Sequence, residues 1–164
     1  MARRSRSVVP LAAVLVVLVL ATGVVAEAKL SDAVLAAFRG KIVLSRGPVA
    51  EGASDADTIA KLQAAQLREL TGTSTDDGLS WRFHYAAFLK KVGNLGLKLQ
   101  FVSGEKDRRF ATASAIPVLD PQSGVVQGDL SVGESQGLER GKAYVIQLVN
   151  DKGELVAKTS AIFK

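Results

Sequence analysis

Leu79, Trp81, Phe83 and Tyr85 alternate with Ser80, Arg82 and His84. A period of two places the four apolar side chains on one face of an extended chain, which predicts a half-buried strand. The alternation returns in Leu95, Leu97, Leu99 and Phe101 against Gly96, Lys98 and Gln100. Phe110 and Ile116 then stand opposite Ala111, Ala113 and Ala115 before Pro117 and Asp120-Pro121 break the run. Residues 124–132 supply another short strand, and residues 133–141 a polar connection with a glycine at each end. The chain closes on a hairpin, 142–149 and 154–163 about Asn150-Asp151-Lys152-Gly153. Tyr144, Ile146 and Leu148 form one row in it, and Leu155, Ala157, Ala161 and Phe163 share a parity on the return. Strands with one apolar face must bury that face against another layer, so the expected fold is mainly β: a small antiparallel β-sandwich over residues 79–164.

Upstream the period lengthens. Leu30, Val34 and Phe38 recur at intervals of four, with Leu35 widening the stripe, which predicts a short helix from Ser31 that Gly40 stops. Lys41-Ile42-Val43-Leu44-Ser45 reads as a seventh strand, ended by Arg46-Gly47-Pro48. Ser54 can cap a second helix, with Asp55 and Asp57 at its positive end and Ile59, Leu62 and Leu70 on its apolar side, up to a terminator at Gly72. Residues 71–78 read as a polar loop, with Asp76 and Asp77 in a solvent-facing turn. Residues 29–78 are thus a helical and loop segment that packs on the sheet, with the alanines of residues 111–115 as the surface beneath the helices.

In strand count, strand spacing and terminal hairpin, residues 79–164 resemble the immunoglobulin-like or fibronectin-like architecture. They lack the Cys…Trp…Cys frame of an antibody-type domain, since the chain contains no cysteine. Sandwiches of this kind serve as adhesive, assembly or spacer modules in extracytoplasmic proteins, which is what the resemblance implies here.

Residues 1–28 read as a signal peptide. Arg3, Arg4 and Arg6 precede residues 8–26, which carry no charge, and Ala26-Glu27-Ala28 offers a cleavage site. The expected location is periplasmic or secreted. The alternative is an uncleaved anchor that leaves the domain outside the cytoplasm, because 19 uncharged residues exceed the minimum of about 17 for a membrane span. The leader also accounts for much of the +5 charge: removing residues 1–26 takes three arginines from 21 basic residues and no acid, leaving 18 against 16, or +2. That balance, with no basic cluster interleaved with aromatics, argues against nucleic acid as a partner.

Chemistry is sparse. Without cysteine there is no disulfide frame and no thiolate metal site, and a lone histidine, His84, does not make a metal site. Gly133-Glu134-Ser135-Gln136-Gly137 matches G-x-S-x-G. A serine nucleophile needs a base and an acid, and His84, the only histidine, precedes Ser135 where the hydrolase order places it after. No glycine-rich cofactor cradle is present, so no catalytic, cofactor-binding or metal residues are assigned. The reading is a non-catalytic extracytoplasmic binding or assembly module of the cell envelope, with an envelope protein as partner and weak self-association through strand edges. Its contacts are expected at exposed strand edges or at the loops of residues 104–108 and 133–141. Two alternatives make different demands. A binder of an apolar or polysaccharide ligand needs a concave pocket with exposed aromatics, and a serine hydrolase needs Ser135, His84 and an acid within hydrogen-bond reach.

Overall fold

The computed structural model describes residues 30–93, 96–104, 109–118 and 120–164; the expected leader at 1–28 and most of the 104–108 loop lie outside the described residues. Two sheets face one another. The first is centred on β4 (Gly78–Phe88), with β7 (Val125–Gly133) antiparallel along one side. β1 (Ile42–Ser45) and β3 (Thr73–Thr75) share its other side end to end. The second sheet runs β2 (Glu69–Leu70), β9 (Leu155–Phe163), β8 (Ala143–Val149), β5 (Lys98–Ser103), β6 (Arg109–Ala115). The predicted strands and the final hairpin are all present, β7 lying one residue later than expected and pairing with β4 over its full length.

The core follows from the period of two. Trp81, Phe83 and Tyr85 on β4 face inward with Ile42 and Leu44 of β1, and Leu99, Phe101, Tyr144, Ile146, Leu148 and Phe163 meet them from the opposite sheet. Phe163 sits at the centre of the aromatic packing. Its ring centroid lies 5.2 Å from Trp81, 5.2 Å from Tyr144 and 6.1 Å from Phe101, all edge-on, the arrangement ring quadrupoles favour. The Lys164 carbonyl accepts from both the Trp81 indole Nε1–H (3.0 Å) and the Gly72 N–H (2.7 Å). The backbone at Gly72 passes so close that a Cβ there would stand 2.9 Å from the indole nitrogen, which is why the position is glycine.

Both helices begin where a serine predicts. Ser31 Oγ accepts from Val34 N–H (3.3 Å) ahead of α1 (Asp32–Phe38), and Ser54 Oγ from Asp57 N–H (3.2 Å) ahead of α2 (Asp55–Ala65). The Asp57 carboxylate accepts from Ala53 N–H and pairs with Lys61 at 3.1 Å; together these hold its carboxyl below the ordinary aspartate value.

Three expectations change. The helices do not cover the alanines of β6; Val34, Phe38 and Leu62 pack on the outer face of the first sheet, against Val43 and Phe88 with Ala86 and Val125 beside them. The reason is in the sequence of β4: after Tyr85 its alternation gives way to Ala86-Ala87-Phe88, apolar on both faces, so that end of the sheet carries a second layer. β6 is instead an edge strand with Phe110 61% exposed. Second, α2 ends at Ala65 and not near Leu70. Leu70 is drawn into the core between the sheets, and Glu69–Leu70 run parallel to the end of β9, with Ile162 N–H bonded to the Arg68 carbonyl and Lys164 N–H to that of Leu70. The sandwich therefore contains a parallel pair and is not purely antiparallel. Third, the polar stretch at 71–78 holds β3, hairpinned onto β4.

Candidate functional site

The helical layer covers one half of the outer face of the first sheet and leaves the other half open. The strand pleat sends Ser80, Arg82 and His84 of β4 to that face. The register sets Ser131 beside Arg82, Asp129 beside His84 and Gln127 beside Ala86. His84 Nδ1 lies 2.5 Å from Asp129 Oδ1, with the side chains 26% and 48% exposed. Ser80 Oγ and Ser131 Oγ share a hydrogen bond of 3.0 Å. The open half is thus a flat polar surface whose groups are largely paired with one another.

Asp129 also acts through the sheet. Tyr85 points to the opposite, inner face, where β7 carries Gly128; a Cβ at that position would stand 3.0 Å from the phenol oxygen, so glycine makes room for it. Burial, and after it the negative charge of Asp129, raises the Tyr85 hydroxyl above its ordinary value of 10.0. The unfolded chain then gives up this proton before the folded one does. The resulting stability is complete below the ordinary tyrosine value and is lost as pH climbs through the raised one. Urea midpoints from about pH 8 to about pH 11 should fall with rising pH, and the Tyr85→Phe variant should fall less; equal slopes would remove the assignment.

Ser135 does not join His84. Gly133 stands opposite Ser80, four positions along β4 from His84, a separation of about 13 Å at ~3.3 Å per residue. The G-x-S-x-G stretch leads β7 into a 3₁₀ turn, Glu134–Gln136, and not into the α-helix of a nucleophile elbow. Each neighbour of the serine has a structural task. Glu134 Oε2 accepts from Leu79 N–H (3.0 Å), and Gln136 Oε1 accepts from Gly133 N–H (3.0 Å). Gly137 turns the chain at φ +90°, and Leu138, 2% exposed, enters the core. The acid that meets His84 is Asp129, which sequence reading missed because cross-strand partners depend on a register that no local pattern states.

Two surface grooves flank this region. One, of about 290 Å³, runs past Thr75, Asp77, Ser80, Ser131, Ser135 and Gln136. The other, of about 470 Å³, lies between Pro48 and Val49 on one side and Lys61, Ala64 and Leu67 on the other. Neither is lined by an aromatic side chain. Trp81, Phe83 and Tyr85, which could have faced a ligand, are enclosed between the sheets. Among the described residues no three histidine, aspartate or glutamate side chains converge as a metal site would require. No protein-family model, curated protein or solved structure matches the chain.

Proposed function

We propose that the chain is a non-catalytic binding or assembly module of the immunoglobulin-like or fibronectin-like kind that works outside the cytoplasm, at the cell envelope. The observation that carries this reading is the enclosure of Trp81, Phe83, Tyr85, Phe101, Tyr144 and Phe163 in one filled core. Apart from Phe110, exposed on the edge strand β6 and outside both grooves, the aromatic surface that a pocket binder would present is spent on packing within the fold, and what faces outward is sheet face and strand edge.

Two further features support the architecture. The order β9-β8-β5-β6 facing β4-β7 follows the immunoglobulin-like alternation of strands between sheets. The Tyr144 hydroxyl, near the start of β8, accepts from Glu139 N–H at 2.9 Å, the form of the tyrosine corner found in such sandwiches. The extracytoplasmic location rests on the three arginines followed by an uncharged apolar run.

Protease treatment of intact and opened cells, joined to mass analysis of the mature terminus, tests the location. The expected result is a chain degraded from outside the inner membrane and beginning near Glu27 or Lys29, or, if anchored, beginning at residue 1. Protection from protease until the inner membrane is breached would defeat the reading.

A further inference from the structure

The hydrogen bonding of β7 defines its free edge. The bond from Leu89 N–H to the Gly124 carbonyl, 2.8 Å, joins two residues directly opposite one another. In an antiparallel ladder such bonded pairs alternate with unbonded ones. Carried along the unbroken β4–β7 register, this rule turns the N–H and C=O of Val126, Gly128, Leu130 and Val132 toward β4. Those of Val125, Gln127, Asp129, Ser131 and Gly133 point away from it.

Both ends of that outward row are sealed. Ser123 Oγ accepts from Val125 N–H (3.2 Å) and donates to the Val125 carbonyl (2.6 Å), while Gln136 Oε1 takes the Gly133 N–H (3.0 Å). Between the seals, the backbone of Gln127, Asp129 and Ser131 meets no partner strand among the described residues. Proteins commonly guard such an edge with a bulge, a proline or a lysine. β7 keeps its register with β4 without a shift and contains no proline and no basic residue.

We propose that this edge is where the module binds, and that its occupant is an extended segment of another protein, added antiparallel, with a basic residue opposite Asp129 and an apolar residue on each side of it. The proposal deepens the binding-module reading and rests on it. Charge selects the occupant. A second copy of β7 in the register that uses all three open residues would set Asp129 against Asp129, about 5.5 Å apart at Cα. Sliding that copy to place Gln127 against Asp129 leaves Ser131 facing Val125, whose groups Ser123 already holds. A foreign strand with lysine or arginine at the centre uses all three residues and meets the carboxylate with opposite charge. Its neighbouring side chains fall on the inner side, where Leu130 is only half-buried. This is recognition by strand addition, affinity coming from the backbone and selectivity from alternate side chains.

The probe is an end-blocked nine-residue peptide alternating threonine and valine about a central lysine, titrated into the purified full chain and followed by amide resonances and hydrogen exchange. Gln127, Asp129 and Ser131 should shift, and their exchange should slow by about tenfold or more. A glutamate-centred peptide should bind at least about fivefold more weakly, as should the lysine peptide methylated on its central amide, which loses one backbone bond to Asp129. No response of these three residues, equal binding of the glutamate or methylated peptide, or a dimer that protects them before peptide is added would each overturn the proposal. Because the measurement is made in solution, its failure is distinct from a failure of the proposed location.

Discussion

Replacing Phe163 by alanine should destabilise the domain by about 3–5 kcal/mol, the range for deleting a buried phenylalanine. The upper part of that range is expected, because three other rings rest on this one. Phe163 is fully enclosed, and Trp81, Tyr144 and Phe101 all present edges to it, so the cavity would open between the two sheets and not beside one of them. Edge-to-face pairs contribute about 0.5–1.5 kcal/mol each beyond the area they bury. Collapse is also hindered. Phe163 N–H is bonded to the Lys142 carbonyl, and the next residue holds Trp81 and Gly72 through its own carbonyl, so the strand end cannot swing in to fill the space. Urea unfolding followed by the emission of Trp81, the chain's one tryptophan, measures the loss directly. A cost below about 1.5 kcal/mol, the level of a volume-conserving swap, would mean that the aromatic cluster is not what joins the sheets.

The strands that enclose this cluster were legible because each carries its own signal: alternation from Leu79 to Tyr85, Tyr144-Ile146-Leu148, and the turn residues before Glu154. Serine caps were legible for the same reason, since Ser31 and Ser54 bond within their own first turns. What failed to show was everything that depends on register. Leu70 reads as one more apolar position on a helix; only its place beside Phe163 makes it a strand residue. The alanines of β6 look like a surface waiting for cover, yet the patch that received it is assembled from Val43, Phe88 and Val125 on three separate strands. The candidate site divides in the same way. His84 could be placed on a polar face from its neighbours, but its partner Asp129 and the open edge beyond it exist only because β7 lies against β4.

That second apolar patch leads to a different kind of expectation. Phe88 is 1% exposed and its ring centroid stands 5.0 Å from that of Phe38, so it is the main contact between β4 and α1. Helices of 7 and 11 residues are shorter than the ~12–15 residues at which an isolated helix becomes even marginal in water. α1 and α2 therefore persist because they are docked. Phe88→Ala should cost about 3 kcal/mol and should act on this layer first. Trp81 lies in the other cluster, on the far face of β4, and its environment depends on Phe163 and the Lys164 carbonyl and not on Phe88. In the variant, helical circular dichroism should fade at a lower urea concentration than Trp81 emission changes, whereas Phe163→Ala should move both together. Coincident transitions in Phe88→Ala would show instead that the helical layer and the sandwich core unfold as one unit, and that Val43 and Val125 pass the loss straight through the sheet.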